Sequence, residues 1–403
     1  MKFEDFALDT SIIQSLEAMG FEKPTPIQEQ AIPILLDHRD IIGCAQTGTG
    51  KTAAYLLPVI QHIAQESPQH INTLIIAPTR ELALQIDQQL EGFAYFTPVS
   101  SIAIYGGRDG ASFEREKKAL LKGADIIIAT PGKFIQHLNL GYVDLSHLKH
   151  FILDEADRML DMGFFEDIMR IASKLPKQRQ TLLFSATMPP KIRTMAKKIL
   201  IDPAQINIAI SKPAEGVFQA AFNTFDNQKV PLIEHLLTAK QVSSVLIFCS
   251  TKRSVKQIQQ ALEDLKFSVS SIHSDLDQSE REKVLLGFRN RQINVLVATD
   301  IVSRGIDIED IGLIINYDVP RDAEDYVHRI GRTARAESTG TAITLINPDD
   351  QYKFRKIEKL IGRSISKGQL PEQLGPGPRS KSNPQRPQKD NFHRSKKGPK
   401  KRS

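Results

Sequence analysis

The sequence is poor in cysteine, and this shortage excludes two kinds of site. Its 403 residues include only two cysteines, Cys44 and Cys249, and both lie inside apolar stretches. We therefore expect neither a disulfide framework nor a thiolate zinc site. The ten histidines also lack metal-binding spacing, and we expect the loose group of His137, His147 and His150 at the surface or in packing.

Long apolar runs and a secretory signal are missing as well. No apolar run approaches the roughly 18 residues that a membrane-spanning helix needs. The first residues, MKFEDFALDT, include acids and no continuous apolar stretch, which is unlike a secretory signal. These absences predict a cytoplasmic protein without membrane contact.

The net charge of +6 is concentrated at one end of the chain. Residues 371–403 contain ten Lys or Arg against two acidic residues, so this segment has a net charge of +8 and the first 370 residues have one of −2. The segment is rich in Pro, Gly, Ser and Gln, which predicts a disordered tail. Such a tail either keeps the protein in solution or binds phosphate backbones without sequence preference, and the second role predicts a nucleic-acid partner.

Apolar runs of strand length alternate with stretches of helical spacing through most of the chain. The first half contains the runs DIIGCA, TLIIAP, SIAIYGG, ADIIIAT, HFILDEA and TLLFSAT, and similar runs follow a pause at DPAQINIAISKPAEG. Strands that are apolar on both faces and alternate with helices are typical of a covered parallel sheet. We predict an α/β fold of two tandem doubly wound parallel-sheet domains, residues 1–208 and 217–365, joined by linker 209–216.

Functional residues of doubly wound sheets collect at the carboxyl ends of the strands. The first apolar run ends in AQTGTGKT, and this predicts a nucleotide site, because a glycine-rich turn before a helix directs backbone N–H groups at phosphates. Lys51 would supply a point charge to the β and γ phosphates, and the Thr52 hydroxyl can bind Mg²⁺. The tight turn is predicted at Thr47, Gly48, Thr49 and Gly50, and Ala45 and Gln46 before it belong to the predicted ATP-binding residues as well.

Two carboxylates, Asp154 and Glu155, end the apolar strand FILDEA. An NTPase needs one carboxylate for the metal shell and another group to orient the attacking water, and we assign Asp154 and Glu155 to these roles in that order. The alternative is an acidic helix start that the helix dipole favours. Gln28 is a candidate for adenine recognition, because an amide can both donate to and accept from the N6 and N7 edge. Phe21 would stack on the ring.

Together the motifs resemble those of the DEAD-box RNA helicases over residues 1–365. They occur in the family's order: GFEKPTPIQ with Phe3 upstream, AQTGTGKT, PTREL, GG at 106, TPG at 130, DEAD, SAT, LIFCST, QSER, ATDIVSRGID and HRIGRTAR. Within the family the chain is most similar to the bacterial RhlE type. The resemblance implies RecA-like domains, ATP and Mg²⁺ as cofactors and RNA as the partner. It also explains Ala45, which is the family's usual residue at a position where other phosphate loops have Gly.

The resemblance implies further roles for the residues that match. Gln28 and Phe21 would recognise adenine, and Asp307 would reach the ribose. The residues that would couple ATP binding to RNA binding are Asp157, Ser185, Thr187 and His328. Those that would lie along the RNA backbone are Arg80, Glu81, Gly107, Thr130, Gly132, Arg281 and Thr299.

The run HRIGRTAR would bring the second domain into the reaction. His328, Arg332 and Arg335 recur at helical spacings of four and three, which predicts one shared helix face. Two guanidinium groups aimed across a cleft would neutralise charge on the transferring phosphoryl group, as arginine fingers do. The alternative is a solvated basic helix face. Ala334 replaces the family's commoner Gly and is the better helix former by about 1 kcal/mol.

A site divided between two domains predicts that ATP is hydrolysed only when the domains close. RNA lying across both domains would favour the same closure. We predict an RNA-stimulated ATPase that locally unwinds short RNA duplexes or remodels RNA–protein complexes, with ribosomal or RNA-turnover proteins as partners. Two alternatives stay open. One is an ATP-dependent RNA clamp or assembly scaffold, and the other is a DNA translocase, since backbone contacts alone do not distinguish RNA from DNA.

Overall fold

The computed structural model describes residues 1–45, 48–66, 70–107, 110–208, 217–239, 244–273, 275–299, 311–333 and 340–379. The described strands form two seven-stranded sheets, one in each half of the chain. The strand pairs within both sheets are parallel, and in the described part of the chain helices lie between most successive strands. The predicted α/β fold of two tandem doubly wound parallel sheets is therefore confirmed.

The first sheet lies between two layers of helices. Its strands are β1 Ile41–Cys44, β2 Thr73–Ile76, β3 Ser101–Ile104, β4 Ile126–Ala129, β5 His150–Leu153, β6 Gln180–Ser185 and β7 Ala204–Asn207. They are ordered β3-β4-β2-β5-β6-β1-β7 across the sheet. The helices are α1 Thr10–Ala18, α2 Pro26–Leu36, α3 Lys51–Glu66, α4 Arg80–Phe93, α5 Gly110–Lys122, α6 Pro131–Asn139, α7 Ala156–Asp161, α8 Phe165–Ala172 and α9 Pro190–Ile199.

Apolar side chains cover both faces of this sheet, which accounts for the unbroken apolar runs. Ile41 and Ile75 pack on one face with residues of α1 to α4, whereas Ile42 and Leu74 pack on the other face with residues of α6 to α9. Successive residues of a strand point to opposite faces, so a strand covered on both sides must be apolar throughout. Burying one such side chain stabilises the fold by about 1.5–3 kcal/mol.

The second sheet repeats this architecture. Its strands are β8 Val217–Asn223, β9 Val245–Cys249, β10 Val269–Ile272, β11 Val295–Thr299, β12 Leu313–Asn316, β13 Gly340–Ile346 and β14 Ser366–Lys367, ordered β10-β11-β9-β12-β13-β8-β14. Its described helices are α10 Asp226–Ala239, α11 Lys252–Asp264, α12 Gln278–Arg289, α13 Ala323–Ile330 and α14 Gln351–Ile361. In the part of the chain that the structure describes, no helix is both long and apolar enough to cross a membrane.

The segment predicted as a pause in the pattern contains a strand. Residues Ala204–Asn207 pair in parallel with β1. The prediction is wrong at these residues because β7 is an edge strand with only Ile206 fully buried, so it lacks the continuous apolar run of a central strand. The predicted linker 209–216 lies outside the described residues, and the domain limits at 208 and 217 stay predictions.

The predicted tail begins later than residue 371. Residues 371–379 pack against the second domain, where Gln228 Nε2 donates to Leu374 O at 2.8 Å. Leu370 and Leu374 contact the apolar core on one face of the second sheet. The predicted start is wrong because these two leucines have apolar surface to bury. Residues 380–403 lie outside the described part of the chain.

Three histidines stack near the amino-terminal end of β5. The ring of His62 packs against those of His38 and His150, with centroid distances of 4.0 and 5.3 Å, and the rings of His38 and His150 lie 6.4 Å apart. Burial lowers the pKa of His62 to about 4 and that of His150 to about 3. His137 is buried as well, and His147 is exposed. Of the three histidines predicted at the surface or in packing, His137 and His150 are therefore packed in the interior and His147 lies at the surface.

Candidate functional site

The sheet order divides the predicted site residues of the first domain into two groups. β5, β6 and β1 are neighbours, and their carboxyl ends lead into Asp154, Ser185 and the phosphate loop. β3, β4 and β2 are neighbours as well, and they lead into Gly107, Thr130 and Arg80. Because the carboxyl ends of parallel strands meet at one edge, the predicted ATP and RNA residues occupy the two halves of a single edge.

The predicted phosphate loop follows β1, and its residue types suit their positions in the loop. Ala45 N donates to Ser185 O at 3.1 Å, and the Ala45 side chain is buried. Gly48 and Gly50 have φ values of +79° and +86°, which glycine adopts without strain. Lys51 begins α3, and its Nζ donates to Ala45 O at 2.6 Å. The ammonium group therefore lies within the loop, where a bound phosphate would meet it.

A capping box at the start of α2 supports the loop. Gln28 Oε1 accepts from Thr25 N at 2.8 Å, and Gln28 Nε2 donates to Gly50 O at 3.0 Å. Thr25 Oγ1 donates to Thr49 O at 2.8 Å. The Thr-x-x-Gln spacing is the sequence signal for such a box, and it was not among our predictions. Gln28 thus holds the loop in place, and its contact with adenine stays a prediction.

Asp154 follows β5 and is only 2% exposed. Its Oδ2 accepts from Tyr55 OH at 2.9 Å and its Oδ1 accepts from Glu155 N at 2.8 Å. Burial raises the pKa of Asp154 to about 6, and the positive charge of Lys51 opposes this shift. A carboxylate and the Thr52 hydroxyl are hard oxygen ligands of the kind that Mg²⁺ prefers, so both residues fit the predicted metal role.

Tyr55 is a site residue that the sequence predictions missed. Its side chain is fully buried in α3, and its hydroxyl hydrogen-bonds the Thr52 side chain as well as Asp154. The available signal was its position three residues after Thr52, because residues three apart share a helix face. One hydroxyl thus contacts both of the residues that are predicted to hold the metal.

Glu155 adopts a strained backbone conformation between β5 and α7. Its φ of +48° lies in the left-handed region, which costs a non-glycine residue on the order of 1–3 kcal/mol. Its Oε2 accepts from Arg158 Nη1 at 3.2 Å, and both side chains line a cavity between the two domains. Strain of this kind is common at functional sites.

Asp157 joins the DEAD and SAT segments through hydrogen bonds. Its Oδ2 accepts from the backbone N and the Oγ1 of Thr187, at 2.8 and 2.9 Å. Ser185 Oγ donates to Thr187 O at 2.7 Å and accepts from Asp157 N at 3.2 Å. The structure therefore brings these three predicted coupling residues together and links the ends of β5 and β6.

The cavity between the domains measures about 440 Å³. The first domain lines it with residues that include Glu155 and Asp157, and the second domain with residues that include His328 and Arg332. The predicted helix face shared by His328 and Arg332 is wrong, because α13 ends at its C-cap Gly331 and Arg332 follows the helix. Both residues nevertheless reach the cavity, so the turn brings Arg332 to the same cleft.

The predicted RNA residues of the first domain lie at helix starts and in a glycine turn. Arg80 begins α4, and its guanidinium group lies 4.5 Å from the centre of the Tyr105 ring. Thr130 is the N-cap of α6, and Gly132 lies in its first turn. Gly107 has a φ of +83°. Helix starts present free backbone N–H groups, so this surface suits phosphate groups.

Two ion pairs join this surface to the second domain. Arg80 Nη2 lies 2.6 Å from Glu282 Oε1, and Arg281 Nη1 lies 3.7 Å from Glu81 Oε1. Three predicted RNA residues thus meet across the cleft, and Thr299 ends β11 at the carboxyl edge of the second sheet. Glu282 was not predicted, because an acidic residue on a polar helix has no distinguishing sequence signal.

Four predicted site residues lie outside the part of the chain that the structure describes, and a fifth, Phe21, packs against the core. Those that lie outside the described residues are Gln46, Thr47, Asp307 and Arg335. Phe21 is described, and its ring centroid lies 5.3 Å from that of Phe93 and 6.4 Å from that of Phe3. It packs against the core of the first domain, and its stacking on adenine stays a prediction.

Two family descriptions match the chain. The DEAD/DEAH box helicase family matches residues 25–195, and the helicase conserved C-terminal domain matches residues 228–337. The ATP-dependent RNA helicase CshA of Listeria monocytogenes is 42% identical over 371 residues, which are 92% of this chain and 71% of that protein.

Solved structures also superpose on most of the chain. S. cerevisiae Dbp5 bound to RNA and ADP BeF3 is 30% identical, with a TM-score of 0.81 over 91% of this chain and 95% of that one. A DEAD box protein from Methanococcus jannaschii is 39% identical, with a TM-score of 0.53 over 92% of this chain and 99% of that one. The structure thus superposes better on the former, in spite of its lower identity.

Proposed function

Because the chain belongs to the DEAD-box family of ATP-dependent RNA helicases, we propose that it hydrolyses ATP between its two domains when RNA lies across both. This hydrolysis locally unwinds short RNA duplexes or remodels RNA–protein complexes. The observation that supports the proposal best is the shared cavity, in which Glu155 and Asp157 of one domain face His328 and Arg332 of the other. Neither domain alone contains the whole set.

The predicted catalytic and metal-binding residues each have a chemical role in this proposal. The Lys51 ammonium group and the N-terminus of α3 neutralise phosphate charge. Thr52 and Asp154 would hold Mg²⁺, which neutralises charge on the β and γ phosphates. Glu155 orients the attacking water, and Arg332 stabilises the negative charge that builds up on the transferring group. The position of Arg332 on the second domain makes hydrolysis depend on domain closure.

RNA binding and ATP binding would favour each other through that closure. The predicted RNA residues lie on the first domain and on α12 and β11 of the second, so an RNA strand bound to both would stabilise the closed arrangement. By linkage, RNA then raises the affinity for ATP by the factor by which ATP raises the affinity for RNA. Hydrolysis and phosphate release reopen the cleft, and this produces local strand separation.

Several narrower assignments belong to the same proposal. The RhlE type rests on the quoted motifs, whereas the bacterial relative described above is named CshA. The contacts with RNA are directed at its backbone, since no sequence-reading module stands out in the chain. We also propose a cytoplasmic location and ribosomal or RNA-turnover proteins as partners, because ribosome assembly and RNA turnover both require RNA to be remodelled.

Steady-state ATP hydrolysis tests the proposed function. It is measured without nucleic acid, with structured RNA and with single-stranded DNA of matched length. We expect strong stimulation by RNA alone. Equal stimulation by DNA would favour a DNA translocase, because the 2′-hydroxyl would then make no difference. Absence of stimulation, together with long-lived RNA complexes in the presence of an ATP analogue, would favour an RNA clamp.

The Glu155→Gln variant tests the assignment of the water-orienting residue. We expect it to bind ATP and RNA and to hydrolyse ATP at least about 100-fold more slowly, since an amide lacks the negative charge with which the carboxylate orients the water and accepts its proton. Fluorescent-nucleotide binding and ATP turnover are measured on the same preparation. Glu166→Gln, which changes an exposed acid of α8, is the matched control and should behave like wild type. Wild-type turnover in Glu155→Gln would remove Glu155 from this role.

A further inference from the structure

A second cavity, of about 320 Å³, lies between α9 and the edge strand β7 of the first sheet. This volume lies within the range of known ligand pockets. The apolar residues that line it are Ile42, Met188, Ala196, Leu200 and Pro203. The polar ones are Arg193, Lys197, Gln205 and Asn207. The lining is therefore mostly apolar, with two cations and a length of strand at its border.

The strand at this border has backbone groups directed away from the sheet. β7 is the last strand in the described order, and it pairs with β1 alone. The backbone N atoms of Ala204 and Ile208 donate to the β1 side, at 2.9 Å each. Because successive residues alternate, the N–H and C=O groups of Gln205 and Asn207 point outward. An exposed strand edge of this kind is a template for another extended chain.

The spacing of the two cations at the cavity matches the spacing of side chains on one face of an extended chain. Arg193 and Lys197 are both exposed and lie one turn apart on α9, and this helix has no acidic residue. Four helical residues correspond to a rise of about 6 Å. Alternate residues of an extended strand, whose side chains share one face, lie about 6.6 Å apart. Two acidic side chains at alternate positions can therefore meet the two cations together.

We propose that β7 and this cavity form a docking site for an extended acidic peptide segment of a partner protein. The peptide adds a strand beside β7 and bonds to the outward groups of Gln205 and Asn207. Two of its acidic side chains pair with Arg193 and Lys197, and a neighbouring apolar side chain enters the cavity. Strand addition of this kind takes affinity from main-chain bonds and specificity from alternate side chains.

Other occupants fit this site less well. The chain's own residues 371–403 have a net charge of +8, so Arg193 and Lys197 would repel them. RNA phosphates would satisfy the two cations but neither the strand edge nor the apolar lining. Met188 lines both this cavity and the one between the domains, so a docked peptide would contact a residue of the ATP cleft. The docking site itself does not depend on the proposed ATPase activity.

Fluorescence anisotropy of the full chain tests the proposal with a labelled eight-residue peptide that has Glu at its second and fourth positions, Leu at its sixth and Thr elsewhere. We expect saturable binding with Kd on the order of 10–100 μM. Combined Arg193→Glu and Lys197→Glu should weaken it at least about ten-fold. Combined Lys191→Glu and Lys198→Glu makes the same change in charge outside the cavity and should leave binding unchanged. A peptide with Lys in place of Glu should bind the Arg193→Glu and Lys197→Glu variant more tightly than it binds wild type.

A second variant isolates the backbone contribution. Asn207→Pro removes one outward N–H at a position where an edge strand accepts proline, and we expect several-fold weaker peptide binding with unchanged thermal unfolding. No saturable binding at about 1 mM peptide, or equal losses in both charge variants, would overturn the proposal. Displacement of the peptide by a short uridine RNA, in wild type but not in the Arg193 and Lys197 variant, would assign the surface to nucleic acid instead.

Discussion

Tyr55 lies between the two residues that are predicted to bind Mg²⁺. Its hydroxyl donates to Asp154 Oδ2 at 2.9 Å and hydrogen-bonds Thr52, and its ring packs 5.3 Å from that of Phe184. A hydrogen bond to a charged acceptor contributes about 1.5–3 kcal/mol. Tyr55 therefore orients the Asp154 carboxylate from within the helix layer, where water cannot take over the role.

The Tyr55→Phe variant tests this orienting role at the residue scale. We expect the Mg²⁺ concentration for half-maximal binding of a fluorescent ATP analogue to rise by about ten-fold, because the carboxylate loses its fixed donor. Tyr326→Phe is the matched control. Tyr326 is equally buried, and its hydroxyl donates to Gln219 Oε1 at 3.0 Å in the second domain. Equal Mg²⁺ requirements in the two variants would contradict the orienting role.

At the scale of elements, residues 371–379 after β14 belong to the folded second domain. Gln228 Nε2 donates to Leu374 O and Gln351 Nε2 donates to Arg379 O, which ties residues 371–379 to α10 and α14. Nine of the ten basic residues counted in the tail follow residue 379. The residues that pack against the second domain, 371–379, therefore contain only one of the segment's ten basic residues.

Two truncations separate these parts. Removal of residues 380–403 should leave thermal unfolding unchanged and weaken RNA binding by about ten-fold at low salt, because counterion release is lost. Removal of residues 371–403 should also lower the melting temperature of the second domain, since it exposes apolar core. Calorimetry and RNA titrations at two salt concentrations check both results. If removal of residues 380–403 leaves the RNA affinity unchanged, these residues do not contribute to RNA binding.

The stacked histidines make the first domain sensitive to acid. His62 is neutral in the folded state because burial lowers its pKa to about 4. In the unfolded chain its pKa is about 6.5, so below that pH the unfolded state binds the additional proton. The stability that the neutral ring provides is therefore complete above about pH 6.5 and is lost as the pH falls towards 4.

Urea unfolding of His62→Phe at pH 7 and pH 5 measures this effect. The variant keeps a stacked ring without a titrating nitrogen, so its unfolding free energy should fall by about 1–2 kcal/mol less than that of wild type over this interval. The exposed His235 provides the control, and His235→Gln should show the wild-type pH dependence. A His62→Phe variant with an unaltered pH dependence would show that His62 titrates normally in the folded domain.

At the scale of the whole molecule, two ion pairs join the domains across the cleft. Arg80 with Glu282 and Glu81 with Arg281 connect α4 of one domain with α12 of the other. The Glu282 side chain is 54% exposed, and ion pairs at exposed sites contribute about 0–1 kcal/mol. Such pairs would bias closure weakly, which is compatible with the proposed control of closure by ATP and RNA.

The Glu282→Gln variant measures this bias. With an ATP analogue and no RNA, we expect the closed fraction to fall by at most about five-fold, and the difference should vanish at about 1 M salt. Energy transfer between dyes on the two domains reports the closed fraction. Asp264→Asn on α11, which changes an exposed acid without an interdomain contact, is the control. A salt-independent change would mean that Glu282 acts through packing.

Much of the fold and part of the site could be predicted from the sequence. The apolar runs located the central strands, because a strand covered on both faces has to be apolar throughout. AQTGTGKT and FILDEAD located the phosphate loop and the two carboxylates. The edge strand β7 and the packed residues 371–379 could not be predicted in this way, because their burial depends on neighbours that are distant in the chain.

By itself, the sequence determined which residues end the strands and which chemistry those residues can perform, since these properties are local. Only the tertiary structure decided their neighbours. The order β3-β4-β2-β5-β6-β1 separates the predicted RNA residues from the predicted ATP residues. The end of α13 at Gly331 sets how Arg332 reaches the cavity, and Tyr55 meets Asp154 across 99 positions of sequence. These contacts arise from packing between distant segments, which no local pattern of residues encodes.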